Sequence, residues 1–367
     1  MKFLIIGAGM FGASTAYDVA CRGHQVEIVD EVHPGKATLA GAGIVCPWAT
    51  RLTDPDWYAM YAAGARYYGE LIAGLEARGE TDLGYRRVGA LVVSENPAEF
   101  AAAGERIAAR TADAPEAGEI RRLGSTEARA LFPPLREGLE AIHIAGGARV
   151  DARRLSAAMV RAAVTMGARY RNDYITLSTH GGRARALDST GREIAADEIV
   201  VCAGAWAAQI LRPLGLMHPV KPQKGQIVHL RLAGTATANW PVLLPMNSYY
   251  MLAFDDSRIV VGATREDDSG FDYRVTAEGQ FEVLGAGLDI APGLADAELI
   301  ETRIGFRPAA SSVRPIIGRV PGFDNLALGN GLGAGGISIG PFAGRLLAQS
   351  LVGEKPELPI EAYAPGA

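Results

Sequence analysis

The chain begins MKFLIIGAGMFGASTAYDVACRGHQVEIVDE (residues 1–31), and this stretch decides the fold. The apolar run 2–6 is typical of a buried strand. A helical pattern follows and ends at Gly23, where a C-cap glycine is expected. A second buried-type strand, residues 26–29, ends at the acidic pair Asp30 and Glu31. The order predicts a βαβ unit.

The glycines of this unit indicate a nucleotide site. Gly7 permits a tight turn, and Gly12 lets the helix pack close to the strand. Gly9 has no side chain that would hold a pyrophosphate away from the backbone. Phosphates would then lie on free N–H groups at the helix N-terminus. Asp30, at the end of the second strand, suits an unphosphorylated ribose, which favours FAD or NAD over NADP. A lone G-x-G-x-x-G is also compatible with a structural turn, but the flanking strands and acid favour dinucleotide binding.

Length and composition are those of a globular protein with a small ligand. The chain has 367 residues, enough for two domains, and 49% of them are hydrophobic while 21% are charged. The formal net charge of −5 gives no basic footprint for nucleic acid or an anionic membrane surface.

Targeting signals and metal motifs are not evident. Cys21, Cys46 and Cys202 lack metal-ligand spacing, so we interpret them as reduced thiols and predict no metal site. The first apolar run is too short for a signal peptide, and no window reaches the length of a membrane span. We expect a cytoplasmic protein without an integral membrane segment. The sequence does not decide whether the protein contacts an electron acceptor at a membrane.

A change of periodicity indicates a second domain. Residues 36–48 (KATLAGAGIVCPW) are small and follow the second strand, so Lys36 and Thr38 could add donors to a phosphate site, although a flexible connector has the same composition. From residue 219 the pattern alternates as in antiparallel strands. The predicted fold class is α/β (α+β), with a Rossmann-type domain and an inserted antiparallel-sheet domain. We assign 1–47, 140–218 and 300–367 to the first, and 48–139 and 219–299 to the second.

Three further segments carry specific expectations. A helix over 58–78 contains Gly64, Gly69 and Gly74 and should pack closely against a neighbour. A helix over 276–291 should bury Phe281, Leu284 and Leu288. The run GNGLGAGGISIG (329–340) is a glycine-dense turn that opens a helix from Pro341 to about Leu351 and favours a ligand over a plain turn.

Together these pieces resemble the FAD-dependent D-amino-acid oxidase (DAO) superfamily, and most closely its glycine oxidase, sarcosine oxidase and D-amino-acid dehydrogenase branch. The matching stretches span nearly the whole chain in the order that the family requires. They are IIGAGMFGASTAYDVACRGHQVEIVD, IVVCAGAWA, PQKGQ, IVVGAT, GFRP, PIIG and GNGLGAGGISIGPFAG.

The resemblance implies an FAD-binding domain and a substrate-binding domain. It implies that the pyrophosphate lies at Gly7, Gly9, Met10, Phe11 and Gly12. It also implies that a second cofactor-binding loop lies within the small-residue segment 36–48. Helix N-terminal N–H groups of the C-terminal run would face the flavin's pyrimidine oxygen, where charge develops on reduction. The remaining cofactor residues of this assignment are Asp30, Glu31, Lys36, Thr38, Ala42, Gly43, Ile44, Ile175, Ala203, Gly204, Trp206, Gly333, Ala334, Gly335, Gly336 and Ile337.

Two residues are implied to bind substrate. Arg307, the arginine of the GFRP motif, would hold a carboxylate bidentately, although a surface ion-pair arginine is the alternative. Tyr250 would be the substrate tyrosine, with Tyr249 on the opposite face of its strand. Arg303 shares a face with Arg307 by strand alternation. It either pairs with an acid or recognises a second acidic group of the substrate.

The chain also departs from the family pattern. Leu332 stands where many relatives carry a histidine, and residues 311–314 (SSVR) replace a small or acidic run. No cysteine or histidine sits in the motif for covalent flavin attachment, so non-covalent FAD is expected.

The predicted activity is flavin-dependent oxidation of a small amine or amino acid, such as a D-amino acid, glycine or sarcosine. Hydride would leave to FAD, and the imine would hydrolyse to an oxo acid. Oxygen or another electron acceptor would reoxidise the flavin. The alternatives are an FAD-dependent 2-hydroxy-acid dehydrogenase, which needs a histidine base, and a non-catalytic dinucleotide-binding or redox-sensing module.

Overall fold

The computed structural model describes residues 1–366. The α-helices of these residues are α1 (Met10–Cys21), α2 (Ala37–Ala40), α3 (Pro55–Glu76), α4 (Pro97–Thr111), α5 (Ser125–Leu131), α6 (Ala152–Thr165), α7 (Ala207–Leu211), α8 (Ala277–Ile290) and α9 (Gly336–Leu351). The strands are β1 (Lys2–Ile6), β2 (Gln25–Val29), β3 (Ile44–Val45), β4 (Arg86–Arg87), β5 (Ala90–Val93), β6 (Ile120–Leu123), β7 (Ala141–Ile144), β8 (Ala148–Arg149), β9 (Arg169–Arg171), β10 (Thr176–His180), β11 (Arg183–Leu187), β12 (Glu193–Ile194), β13 (Glu198–Val201), β14 (Lys221–Arg231), β15 (Val242–Pro245), β16 (Tyr250–Ala253), β17 (Arg258–Gly262), β18 (Glu298–Ala309), β19 (Ile316–Arg319) and β20 (Leu326–Asn330).

The first sheet is built on the predicted βαβ unit. Its strand order is β19-β20-β13-β1-β2-β9, and all neighbours are parallel except β19 and β20. Helices α1, α6 and α9 cover one face, and the small sheet β10-β11-β12 covers the other. Strand β2 lies on one side of β1 and strand β13 lies on the other, so the strand order reverses at β1. In such sheets ligands bind beyond the carboxyl ends of the strands at this point.

The second sheet has the order β18-β14-β17-β16-β15-β5-β7-β6 and is antiparallel except between β15 and β5. Helix α4 packs on one face, while α5 and α8 pack on the other. The predicted fold class, a Rossmann-type sheet with an inserted antiparallel sheet, is confirmed. Strands β3, β8 and β4 form a further three-stranded sheet.

The segment boundaries of the two domains stay a prediction, and two strands depart from them. The predicted boundaries place strand β7 and almost all of β18 in the Rossmann-type domain, yet both strands pair within the eight-stranded sheet. Strand β18 pairs with β14 from Glu298 to Ala309. Its backbone N–H and C=O groups are therefore hydrogen-bonded within the eight-stranded sheet. Its sequence has charged residues in the first half and buried residues mainly in the second, and this mixed pattern does not show which sheet it joins.

Helix α9 begins at Gly336, five residues before the predicted start at Pro341. A proline inside a helix normally leaves the carbonyl four residues earlier without a donor. Here that carbonyl belongs to Ile337, and the Tyr68 hydroxyl donates to it at 2.6 Å. A phenol on α3 thus supplies the hydrogen bond that Pro341 lacks.

The burial predicted for helix α8 is wrong at Phe281, which is 81% exposed. The helix instead buries Gly279, Val283, Gly287 and Ile290. A Cβ atom on Gly279 or Gly287 would lie within 3 Å of side chains of the sheet. The glycine face of α8 therefore packs closer to the sheet than the face that carries Phe281 could.

Helix α3 packs closely at two of its three glycines, as its composition predicts. A Cβ on Gly64 would lie 2.4 Å from the Ser338 carbonyl oxygen, and one on Gly74 would lie 3.0 Å from the Tyr17 hydroxyl. Nothing lies within 4 Å of the Cβ position at Gly69. None of the helices within residues 1–366 has the length and apolarity needed to cross a membrane.

Replacing Gly64 with alanine should therefore destabilise the protein by about 1–3 kcal/mol, because the methyl group meets a backbone oxygen that has little freedom to move. Gly69→Ala, in the same helix, should stabilise it by about 0.5–1 kcal/mol, because only the entropy of the unfolded chain changes. Midpoints of thermal unfolding compare the two variants with the parent. Equal midpoints for both variants would contradict the close α3–α9 contact.

Candidate active site

The turn after β1 excludes side chains at two of its three glycines. Gly7 has φ of 102°, and a Cβ there would lie 2.5 Å from the Cys202 carbonyl oxygen. A Cβ on Gly12 would lie 1.9 Å from the Gly7 carbonyl oxygen. Gly9 differs, since its only close neighbour would be Thr38 Oγ1 at 3.3 Å. Gly7 and Gly12 therefore serve packing, while Gly9 leaves its backbone open toward a cavity.

Polar groups around this turn hold one another. The Met10 N–H donates to Thr38 Oγ1 at 3.0 Å. Asp30 accepts from the Ala8 N–H at 3.0 Å and pairs with Lys36 Nζ at 2.6 Å. Thr38 and Lys36 thus order the turn and its carboxylate in this structure.

One cavity of about 520 Å³ connects the turn with the second sheet. Every residue predicted from the sequence to bind cofactor or substrate lines it, except Gly12. The lining members are Gly7, Gly9, Met10, Phe11, Asp30, Glu31, Lys36, Thr38, Ala42, Gly43, Ile44, Ile175, Ala203, Gly204, Trp206, Tyr250, Arg307, Gly333, Ala334, Gly335, Gly336 and Ile337.

The C-terminal glycine run enters this cavity as a helix start. Residues Gly333–Gly335 form a 3-10 turn, and α9 follows directly. The Ser338 hydroxyl donates to the Ile44 carbonyl at 2.8 Å, which ties the helix start to the second loop. The first N–H groups of a helix have no partner within it, and they carry partial positive charge. The cavity therefore meets two helix N-termini, those of α1 and α9.

Trp206 lies within an aromatic stack. His33 covers its ring at 4.5 Å between centroids, and Phe271 stacks on it at 4.9 Å. Phe271 lies on the segment that follows β17, so the stack connects the two sheets beside the cavity.

Two further glycines make room for the predicted substrate residues. A Cβ on Gly225 would lie 2.6 Å from Arg307 Nη2, and one on Gly262 would lie 2.6 Å from the Tyr250 hydroxyl. The PQKGQ and IVVGAT motifs contain these glycines, but the role of the glycines becomes visible only in the paired strands of the structure. Each clears the space in which a polar side chain lies.

Arg307 and Tyr250 are half-buried, and each lies close enough to the other to influence its pKa. Arg307 Nη1 donates to the Thr264 carbonyl at 3.0 Å. Burial lowers the pKa of Arg307, although a guanidinium stays charged in proteins, and neighbouring Tyr250 raises it. Burial likewise raises the pKa of Tyr250, so its phenol remains a donor at neutral pH. Tyr249 turns away and donates to Glu282, as predicted for the opposite face.

Arg303 does not line the cavity and pairs with Glu301, its Nε lying 2.8 Å from Oε1. The acid-pairing alternative is the one observed, so Arg303 is not placed to recognise substrate in this structure. The cavity contains two other arginines, Arg51 and Arg265, which the sequence reading missed. No motif marks them, and only tertiary structure brings them to the cavity that Arg307 lines.

The cavity also holds two cysteines and no metal cluster. Burial raises the pKa of Cys46 and of Cys202 to about 12, so both are protonated thiols. Across residues 1–366, no three or more His, Cys, Asp or Glu side chains gather as metal ligands.

This fold and cavity define a flavin-dependent oxidoreductase. The chain belongs to the DAO family of FAD-dependent oxidoreductases, whose family model matches residues 2–350. The resemblance inferred from the sequence is thereby confirmed, and FAD is the cofactor. The residues present fit it, because Gly9 opens to the cavity, Asp30 ends β2, and α9 begins at the same cavity.

Similar proteins cover the whole chain. An uncharacterized oxidoreductase of Bacillus subtilis (strain 168) is 45% identical over 365 residues, 99% of this chain and 98% of the relative. The glycine oxidase of Pseudomonas aeruginosa is 29% identical and covers 99% and 98%. The crystal structure of iminodiacetate oxidase from Chelativorans sp. BNC1 has a TM-score of 0.98 and 66% identity and covers 100% and 99%.

Replacing Gly225 with alanine should displace the Arg307 guanidinium, since the new methyl group would occupy its position. We expect the KM for a carboxylated substrate to rise about tenfold, which corresponds to about 1.4 kcal/mol of binding. Steady-state kinetics of the flavin-loaded protein measure it. Gly285→Ala is the control, because nothing lies within 4 Å of that Cβ position. An unchanged KM in Gly225→Ala would contradict this placement of Arg307.

Proposed function

We propose that this protein oxidises a small amine that carries a carboxylate, with FAD as the electron acceptor. The observation that supports it best is the single cavity, which has a dinucleotide-type turn at one end and Arg307 with Tyr250 at the other. A ligand bound between these ends would have a carboxylate-binding arginine beside the flavin. The similarity to glycine oxidase and iminodiacetate oxidase supports N-carboxymethyl amines as substrates.

In this proposal Arg307 and Tyr250 orient the substrate. Arg307 offers a planar fork of donors, and none of its contacts within residues 1–366 is a carboxylate closer than 4.0 Å. Tyr250, held protonated by burial, adds a neutral donor to the same carboxylate. Fixing the carboxylate fixes the neighbouring C–H bond, and such positioning accounts for much of the rate in reactions of this kind.

The chemistry that bound FAD would supply is two-electron acceptance: the α-hydrogen would leave the substrate as hydride, and the resulting imine would hydrolyse to an oxo acid and an amine or ammonia. The N-terminus of α9 supplies N–H groups and a positive dipole end on the same cavity, suited to stabilising developing negative charge. No acid–base residue is required beside Arg307 if the amine binds neutral.

The alternative, oxidation of a 2-hydroxy acid, requires a base at the reacting carbon. His33 is the only histidine among the lining residues, and it stacks on Trp206 near the nucleotide end. Amine oxidation therefore has the better support. The cytoplasmic location, non-covalent attachment and identity of the electron acceptor stay predictions.

Anaerobic titration of the flavin-loaded protein tests the function. We expect glycine, sarcosine or iminodiacetate to bleach the flavin absorbance, with oxo acid formed in equal amount, whereas 2-hydroxy acids leave it unchanged. Admission of air then shows whether oxygen is the acceptor. Failure of every amine and amino acid to bleach a bound flavin would overturn the proposal and favour a binding or sensing role.

Arg307→Met should lower kcat/KM for these amines by about 30-fold or more, because removing the charged partner of a desolvated carboxylate costs about 2–5 kcal/mol. Flavin content should not change, since the assignment places Arg307 at the substrate end. Arg303→Met provides the control, because Arg303 pairs with Glu301 outside the cavity. Equal losses in both variants would show that Arg307 acts only through stability.

A further inference from the structure

The start of helix α9 forms one wall of the cavity and contains a proline that interrupts its hydrogen bonds. Residues 333–338 line the cavity, and Pro341 follows within the same helix. Proline has no N–H, and its ring displaces the carbonyl four residues earlier. The Ile337 carbonyl therefore has no helical donor, although it lies in the turn that borders the cavity.

Tyr68 of helix α3 supplies the missing donor. Its hydroxyl donates to the Ile337 carbonyl at 2.6 Å, and its side chain is fully buried. Burial raises the pKa of Tyr68 well above its ordinary value, so the hydroxyl stays protonated and remains a donor. Tyr68 is not among the residues that line the cavity. Any effect of its hydroxyl on a ligand must therefore pass through the start of α9.

The hydrogen bond from Tyr68 fixes the direction of a whole peptide group. The Ile337 carbonyl and the Ser338 N–H belong to one planar unit and point in opposite directions. The N–H groups of a helix point toward its N-terminus, where they carry partial positive charge, and the N-terminus of α9 lies at the cavity. Holding the Ile337 carbonyl in place therefore sets the direction of the Ser338 N–H.

The same hydrogen bond also polarises this peptide group. A donor on the carbonyl of a peptide unit strengthens the hydrogen bond that the N–H of the unit makes, by about 10–30%. Within a regular helix the N–H four residues later provides this donor, but Pro341 has none to give. The Tyr68 hydroxyl takes its place and makes the Ser338 N–H a better donor to a negatively charged group.

One face of α3 supports this turn over its whole length. Trp57, Gly64 and Tyr68 follow one another at spacings of seven and four residues, so they share one side of the helix. A Cβ on Gly335 would lie 3.3 Å from the Trp57 ring, and one on Gly64 would lie 2.4 Å from the Ser338 carbonyl oxygen. The start of α9 therefore has little room to move toward α3.

The second loop holds the same turn from another side. A Cβ on Gly41 would lie 2.8 Å from Ile337 Cδ1, and the Ser338 hydroxyl donates to the Ile44 carbonyl at 2.8 Å. Gly41 and Ile44 both line the cavity. The helix start is therefore held between α3 and the second loop, and the Tyr68 hydroxyl acts on its backbone within that frame.

We propose that Tyr68 is a positioning residue: through the peptide group of Ile337 and Ser338 it orients the N-terminus of α9, which stabilises negative charge on the reduced flavin. This inference rests on the proposed position of the flavin ring beside Gly333 to Ile337. Tyr68 touches neither substrate nor cofactor in this arrangement. Its hydroxyl instead determines how readily the bound flavin accepts electrons.

Sulfite provides a probe that needs no amine substrate. It adds to the reactive nitrogen of an oxidised flavin and leaves a negative charge on the pyrimidine ring, so its affinity reports the groups that stabilise this charge. In Tyr68→Phe the Kd for sulfite should rise about 3- to 10-fold, within the range of helix-dipole effects. The midpoint potential of the bound flavin should fall by about 15–30 mV, which is the same range for a two-electron couple. Absorbance titration and equilibration with a redox dye measure the two values.

Two further variants separate positioning from support of the fold. Tyr85→Phe is the matched control, because it removes a hydroxyl from the ring that stacks on Tyr68 at 5.6 Å and leaves the hydrogen bond to Ile337 in place. It should change neither value. Pro341→Ala in the Tyr68→Phe background returns an N–H from which the helix can donate to Ile337. It should recover most of the lost sulfite affinity.

The outcomes decide between the two roles of Tyr68. Unchanged sulfite affinity and potential in flavin-loaded Tyr68→Phe would overturn the inference, even with a lower midpoint of thermal unfolding, because Tyr68 would then support only the fold. An equal loss in Tyr85→Phe, or no recovery with Pro341→Ala, would overturn it as well. Amines that fail to bleach the flavin would sink the proposed oxidation and leave these measurements valid.

Discussion

The structure depends on close backbone contact at the carboxyl end of β1. Gly7 lies against the end of β13, and Gly12 lies against Gly7, at distances that exclude even a methyl group. The same condition continues along α1, because Cβ atoms on Gly340 or Gly344 would come within 3 Å of α1 side chains. Helix α9 therefore packs directly on α1. The two ends of the sequence consequently deliver two helix N-termini to one cavity.

The second sheet uses glycine for a different purpose. At Gly225 and Gly262 the absent side chain leaves space that Arg307 and Tyr250 occupy, so these two polar groups lie where the sheet would otherwise be covered. The result is a cavity whose ends differ in charge. Carboxylates stand at the nucleotide end with partners of their own, and arginines stand at the other end without acid partners.

The nucleotide end could be predicted from the sequence because its signals are local. The strand, the glycines, the helix and Asp30 follow one another within 30 residues, and each has a conformational reason that does not depend on the rest of the fold. The glycine-dense run before α9 could be recognised in the same way. Its helix start was placed too late, because a hydroxyl from α3 compensates for Pro341, and a contact between distant helices leaves no trace in the local pattern.

The substrate end could be predicted only in part. Arg307 and Tyr250 were found through motif resemblance, whereas Arg51 and Arg265 carry no motif and reach the cavity through sheet register and a loop contact. Alternation along β18 suggested Arg303, but Glu301 on the same strand takes its charge. Strand periodicity gives the face of a residue and not its partner.

The most direct measurement is a crystal structure of the flavin-loaded protein grown with acetate, which has a carboxylate but no amine to oxidise. The pyrophosphate should lie at Gly7 to Gly12, the isoalloxazine beside Gly333 to Ile337, and the bound carboxylate on Arg307 beside Tyr250. Density for the isoalloxazine outside this cavity, or bound flavin with Arg307 turned away from it, would contradict the account.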